Sequence, residues 1–182
     1  MFRLRQALLL LGFLSEIVIA AGPRRDVTVC QQIEFRLPGR VFYPGSTSYE
    51  ETVSSYYSAQ ERDLSPACVF RPTATSDVSQ FVKTITSRNL GYHSTPQFAI
   101  RSGGHTLFTG AANINGGVTV DMRPINGLEL NEDQTVASIG GGAIWSDIYP
   151  QLVPHNLTAI GGRFPGIALG GFLTGGKYTQ SS

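Results

Sequence analysis

The residues best suited to chemistry in this 182-residue chain form one short run, in which two glycines separate an arginine and a serine from a histidine and a threonine: Arg101, Ser102, Gly103, Gly104, His105 and Thr106. Two glycines directly after a strand let the backbone turn tightly and approach a ligand without interference from Cβ. Consecutive backbone N–H groups in such a turn form a nest that binds anions, above all phosphate oxygens. The run predicts a phosphate-binding turn that holds His105 beside its ligand, with a hairpin turn and a solvated histidine as the alternative.

The elements predicted before this run end in a strand that leads directly into it. The lead-in Gln97–Ile100 is short, apolar and preceded by Pro96, which favours a strand. A first strand is predicted at Cys68–Phe70. A helix follows, capped by Thr75 or Ser76, closed by Asn89, Leu90 and Gly91, and apolar at Val78, Phe81, Val82 and Ile85. This strand–helix–strand order predicts a βαβ-like entry to the nest.

The elements after the run complete an α+β pattern. A strand is predicted at Val118–Met122, followed by a hairpin whose arms are Leu128–Leu130 and Thr135–Ile139. Three glycines, Gly140 to Gly142, then open a helix that Pro150 is expected to kink or shorten.

A second glycine-rich stretch runs from Ile160 to Gly176, and its paired glycines suit a backbone that lies against a flat ring and a phosphate. Its end approaches the nucleotide pattern GxxxxGK[ST], but Tyr178 replaces the hydroxyl residue that would hold Mg²⁺. No GxGxxG or GxSxG motif occurs, which removes the signatures of a Rossmann dinucleotide site and of a hydrolase nucleophile. No CxxC or HExxH motif suggests a metal.

The run at residues 101–106, with Gly110 after it, resembles the pyrophosphate loop of flavoproteins in the vanillyl-alcohol-oxidase and p-cresol-methylhydroxylase superfamily. Within it, the chain is most similar to the berberine-bridge-enzyme-like branch, particularly its secreted fungal oxidases. The resemblance extends from Ser65 to Gly176. It implies an α+β fold: a PCMH-type FAD-binding domain over residues 65–182, with a βαβ-like first subdomain and part of the second. Residues 22–64 are then an N-terminal segment packed against this domain.

The resemblance also implies roles for individual residues. The nest at residues 101–106 and Gly110 would grip the FAD pyrophosphate, and His105 would be bonded covalently to the flavin 8α-methyl group. A loop containing Gly166, Gly170 and Gly171 would run under the isoalloxazine ring and the pyrophosphate. Some relatives form a second bond from a cysteine in this loop. Phe164 stands at that position here, so we expect one covalent link.

The activity that the resemblance implies is hydride transfer from an alcohol- or sugar-like carbon to the flavin, followed by reoxidation with O₂. The substrate domain and the catalytic base of the relatives would follow Gly176, so no catalytic residue is predicted here. A C-terminally truncated, non-catalytic fragment that binds FAD weakly or not at all is therefore the alternative. The codons for Gly176–Tyr178 can contain GTAAGT, an intron donor sequence, and Lys177–Ser182 are expected to be intron-encoded on that hypothesis.

The N-terminus predicts export from the cell. Residues 1–21 combine Arg3 and Arg5 with an apolar run and small residues near a cleavage site, which is typical of a signal peptide. A secreted protein favours a disulfide between its two cysteines, Cys30 and Cys68, although two buried thiols remain open. Asn156 begins a glycosylation sequon. The net charge of +1 gives no reason to expect nucleic acid or an anionic membrane surface as partner. The family resemblance implies a small-molecule substrate for the full-length relatives.

Overall fold

The computed structural model describes residues 28–87 and 96–175. The predicted signal peptide, the predicted helix end at Asn89–Gly91 and the tail Lys177–Ser182 lie outside the described residues. The elements of the described residues come in the following order: α1 Val29–Arg36, β1 Val41–Phe42, α2 Thr47–Ser54, α3 Ala59–Arg62, β2 Cys68–Phe70, α4 Thr75–Ile85, β3 Phe98–Arg101, β4 Val118–Asp121, β5 Leu128–Leu130, β6 Ala137–Ile139, α5 Trp145–Leu152, a 3₁₀ turn at Val153–His155, and α6 Leu169–Thr174.

The main sheet has the strand order β1-β2-β4-β3. Strands β2 and β3 both run parallel to β4, which lies between them, and β1 pairs antiparallel with β2. The predicted βαβ entry is confirmed: α4 connects two parallel strands, and β3 ends at Arg101, the first residue of the nest. Because β1 is an edge strand of this sheet, the segment before residue 65 completes the same layer.

The core on one side of the sheet joins α1 and α4 to β2 and β4. Its buried members include Ile33, Phe70, Phe81 and Val118. A disulfide joins Cys30 of α1 to Cys68 of β2, and both residues are buried in this core. The N-terminal segment is therefore tied covalently to the sheet that carries the nest.

Helix α4 differs from its sequence pattern in two details. Phe81 and Ile85 are buried as predicted, but Val82 is 48% exposed, because the third buried residue of the helix is Thr84, on the side of Phe81 away from Val82. The expected side-chain cap from Thr75 or Ser76 is wrong as well. The N-cap is Ala74, and the Asp77 carboxylate accepts a hydrogen bond from the backbone N–H of Thr73 at 2.9 Å instead.

A second core forms after the hairpin of β5 and β6, which pair antiparallel as predicted. Its centre is Trp145, with Ile148 and Leu152 of α5 and Leu169 of α6 around it. Pro150 lies inside α5, and the helix passes into the 3₁₀ turn two residues later. Between them, residues 28–87 and 96–175 contain no helix of the length and apolar character needed to cross a membrane.

Candidate functional site

His105 lies at the end of the nest with an aromatic ring on each of two sides. The Tyr57 ring stacks on the imidazole, with 4.0 Å between centroids and 15° between planes. Phe164 meets it edge-on at 5.0 Å. The imidazole Nε2 atom is buried and makes no hydrogen bond with any described residue. The structure thus places a half-buried histidine, with one nitrogen unsatisfied, between two distant parts of the chain.

Ser102 and Gly170 connect the nest to the C-terminal glycine loop. The Ser102 hydroxyl donates a hydrogen bond of 2.5 Å to the carbonyl of Gly141. A Cβ on Gly170 would lie 2.6 Å from the same carbonyl oxygen and 3.0 Å from the Ser102 Oγ. Glycine at position 170 therefore allows three predicted loops to meet in one place.

The two nest glycines are constrained by different neighbours. A Cβ on Gly103 would stand 2.8 Å from the Cβ of Ala168, so the nest packs closely against the start of α6. Gly104 has φ +71°, a left-handed conformation that favours glycine, and a Cβ there would lie 2.8 Å from the Tyr56 ring. Both glycines are thus required by the protein's own packing.

Arg101 does not turn its charge toward the nest. Alternation along β3 places Arg101 on the buried face with Ala99, where its guanidinium donates to the carbonyls of Thr52 and, at 2.9 Å, of Ser55. It also lies 4.0 Å from the centre of the Tyr56 ring. These carbonyls end α2, whose C-terminus attracts a cation. The guanidinium therefore anchors the strand to α2.

A buried carboxylate at the end of β4 completes this anchor. Asp121 is fully buried and accepts hydrogen bonds from Arg123 at 2.6 and 2.8 Å, while Arg71 Nε lies 3.6 Å away. Burial by itself would raise the pKa of the Asp121 carboxyl, but the hydrogen bonds and charge of Arg123 lower it below its usual value. The carboxylate is therefore ionised and stabilises two arginines beneath the nest.

Gly110 and Thr106 belong to the loop that follows His105. Gly110 has φ +81° and no described atom within 4 Å of a Cβ, so its conformation alone favours glycine. The Thr106 hydroxyl accepts a hydrogen bond from the Phe108 N–H at 3.1 Å. Beyond Gly110, the buried Glu61 carboxylate accepts bonds from the backbone N–H groups of Ala111 and Ala112 at 2.9 and 3.1 Å. Sequence reasoning missed Glu61, because no local pattern links it to a loop 50 residues away.

The C-terminal glycines separate into two groups. Gly161 and Gly162 do lie against a flat ring, but it is the Trp145 indole, about 2.5 Å from where their Cβ atoms would stand. A Cβ on Gly166 would be 3.7 Å from the His105 ring, and one on Gly171 would meet no described atom within 4 Å. Among the glycines of this stretch that the structure describes, Gly166 and Gly171 therefore leave room for a ligand without displacing protein.

Most of the chain matches a known sequence family. The profile of the family described as "FAD binding domain" matches residues 66–182. The FAD-dependent monooxygenase sdcF of Emericella nidulans is 38% identical over 151 residues, covering 81% of this chain and 30% of that protein. The FAD-dependent monooxygenase tpcD of Cochliobolus heterostrophus is 36% identical over 140 residues, covering 77% and 26%. The chain thus spans less than a third of these relatives.

Solved structures share the fold. BBE-like 1 of Physcomitrella patens superposes with a TM-score of 0.65 at 23% identity, covering 79% of this chain and 30% of that one. Glucooligosaccharide oxidase of Acremonium strictum, whose structure is described as containing a 6-S-cysteinyl, 8α-N1-histidyl FAD, gives 0.65 at 20% identity, covering 82% and 30%. The similarity supports the predicted α+β, PCMH-type architecture.

Proposed function

Because the chain belongs to the FAD binding domain family, we propose that it holds FAD covalently at His105 as part of an oxidoreductase acting on a small organic molecule. The observation that carries this proposal is the position of His105: it ends a glycine nest, and its buried Nε2 has no partner among the described residues. A buried nitrogen without a hydrogen bond destabilises the fold, so its presence calls for an explanation such as a functional role. The sequence resemblance and the histidyl-FAD of the Acremonium strictum oxidase suggest that role.

The residues around His105 fit this cofactor. The turn at Gly103–Gly104 supplies backbone N–H groups, and such nests bind phosphate oxygens. Gly171 is exposed and leaves open space on α6, where a Cβ would contact nothing described. Since the Arg101 guanidinium and the Ser102 hydroxyl are committed to protein carbonyls, we assign the anion contacts to backbone N–H groups.

FAD bound here would supply an acceptor for a hydride from an alcohol- or sugar-like carbon and pass the electron pair on to O₂. For attachment, one ring nitrogen of His105 would lose its proton and form a C–N bond to the 8α carbon of bound FAD, with loss of a second proton from that carbon. The electron pair released would pass to O₂ by way of the cofactor. Ser102 holds the nest against the glycine loop, and Arg101 holds it against α2.

A flavin monooxygenase is the second candidate, favoured by the names of the curated relatives. The two reactions differ in the fate of O₂, which an oxidase releases as peroxide. With an active protein, ¹⁸O₂ separates them, since only a monooxygenase transfers the label to its organic product.

We propose that the protein is exported and that its substrate is small, with neither nucleic acid nor membrane as partner. Residues 1–21, the disulfide and the charge of +1 support this proposal.

Covalent attachment is tested with the chain expressed in a secretory host and supplied with FAD. We expect acid-precipitated protein to retain its yellow colour and to fluoresce on a denaturing gel. His105→Ala should lose the acid-stable colour, whereas His155→Ala, which changes an exposed histidine, should keep it. Undiminished colour in His105→Ala would overturn the assignment. A chain that binds no FAD in titration would favour the non-catalytic alternative.

A further inference from the structure

We infer that Tyr57 is a positioning residue that fixes the ring plane of His105 for attachment to FAD; this rests on the proposed function of His105. Tyr57 comes from the segment before the FAD-binding domain, and neither the family profile, which begins at residue 66, nor the nest motif includes it. Its ring is nevertheless the nearest flat surface recorded against the imidazole, at 4.0 Å and 15°.

The need for such a residue follows from the geometry of histidine. The χ2 torsion of histidine has broad wells, so the side chain alone holds its ring plane poorly. The lone pair of an imidazole nitrogen lies in the ring plane, and rotation about χ2 therefore swings it away from a target. A ring stacked at 15° confines the lone pair to directions parallel to its own surface. Phe164 meets the imidazole at 62°, so its edge opposes rotation from another direction.

The position of Tyr57 is itself set by the main chain. Its backbone N–H donates to the carbonyl of Gly104, the residue before His105, at 3.1 Å. The preceding Tyr56 is buried, and its hydroxyl donates to the carbonyl of Ala112 at 2.7 Å. Arg101 donates to the carbonyl of Ser55 in the same segment. Residues 55–57 thus form a platform, bonded to the strand before the nest and to the loop after it, on which the imidazole rests.

The stacking predicts an effect on the rate of attachment. Small misplacements of a reacting group can cost about 10²-fold in rate, so loss of the ring in Tyr57→Ala should slow covalent incorporation about tenfold or more. Tyr57→Phe and Tyr57→Trp keep a flat face and should incorporate FAD at rates close to that of the unchanged chain. Phe35→Ala, which removes an aromatic ring that is 88% exposed on α1, is the matched control and should change nothing.

The test measures the acid-stable flavin fraction against time at saturating FAD. Non-covalent affinity is measured separately in His105→Ala with and without Tyr57→Ala, where equal FAD dissociation constants are expected. NMR of the flavin-free chain provides a second readout: the ring-current shift that Tyr57 adds to the His105 ring protons should be lost in Tyr57→Ala and persist in Tyr57→Phe, while the contribution of Phe164 remains in both. The three histidines of the chain are assigned by substitution.

The outcomes separate this inference from the proposed function. If His105→Ala keeps acid-stable flavin, the proposed function fails and the inference fails with it. If His105→Ala loses acid-stable flavin but Tyr57→Ala incorporates FAD at the rate of the unchanged chain, the inference is overturned and the proposed function stands. It is equally overturned if Tyr57→Phe is as slow as Tyr57→Ala, because the hydroxyl would then matter more than the stack. An affinity loss in the double variant would make Tyr57 a binding residue.

Discussion

Gly170 and Gly171 are neighbours in α6, yet the same substitution to alanine should have opposite effects on stability. A Cβ on Gly170 would lie 2.6 Å from the Gly141 carbonyl oxygen, far inside van der Waals contact, whereas one on Gly171 would meet nothing described within 4 Å. Backbone cannot move aside as a flexible side chain can. Gly170→Ala must therefore displace α6 or the glycine triplet that the Ser102 hydroxyl bonds.

The expected magnitudes follow from these contacts. Overpacking costs about 1–3 kcal/mol, and loss of the Ser102–Gly141 hydrogen bond costs about 1 kcal/mol. Replacing glycine by alanine in a helix returns up to about 1 kcal/mol. Gly170→Ala should thus lower the free energy of unfolding by about 1–3 kcal/mol, and Gly171→Ala should raise it by up to about 1 kcal/mol.

Urea denaturation followed by far-ultraviolet circular dichroism measures both variants against the unchanged chain. If Gly170→Ala is as stable as Gly171→Ala, the close approach of α6 to the glycine triplet is refuted. FAD titration adds a functional contrast: if Gly171 faces the cofactor as the family resemblance implies, Gly171→Ala should bind FAD more weakly although it unfolds at higher urea. Unchanged FAD affinity in that variant would remove Gly171 from the site.

Three further outcomes are expected. Reduction of Cys30–Cys68, which closes a loop with a sequence separation of 38, should lower the free energy of unfolding by about 3–4 kcal/mol in urea melts, and a change under 1 kcal/mol would contradict the loop-entropy argument. Because its pKa is lowered in the fold, ionised Asp121 stabilises the folded state at pH above its unfolded pKa of about 4, and this stabilisation is lost as the pH falls from there through the folded pKa. The free energy of unfolding should therefore drop more steeply below about pH 4 in the unchanged chain than in Asp121→Asn. Equal slopes would show that Asp121 is not the titrating group. Exposed Asn156, at the C-cap of the 3₁₀ turn, should carry a glycan that endoglycosidase removes after secretory expression, and an unshifted gel band would contradict it.

The local elements around the nest were predictable, because each depends on a pattern within a few residues. The hairpin of β5 and β6 and the strand before Arg101 have the short apolar runs typical of strands. The helix pattern placed Phe81 and Ile85 correctly, since α4 packs on the sheet through them. The run from Arg101 to Thr106 is likewise local, and its family resemblance is enough to single out His105.

The long-range contacts of the site were not predictable in this way. The Arg101 guanidinium donates to the carbonyls of Thr52 and Ser55, which are 49 and 46 residues away along the chain. The stacking of Tyr57 on His105 joins residues equally far apart. Such pairs are set by how α2 packs on the sheet, which no local pattern reports.

The packing of Gly161 and Gly162 on Trp145 has a practical consequence for observing how the molecule unfolds. Trp145 is the only tryptophan in the chain, and it is buried in the second core, away from the disulfide. Its emission therefore reports the half that contains the glycine loop, while near-ultraviolet dichroism of the disulfide reports the half built on α1 and β2. If the two signals change at different urea concentrations, the two halves unfold separately. Thermal unfolding followed by each signal with and without FAD would then show which half FAD stabilises.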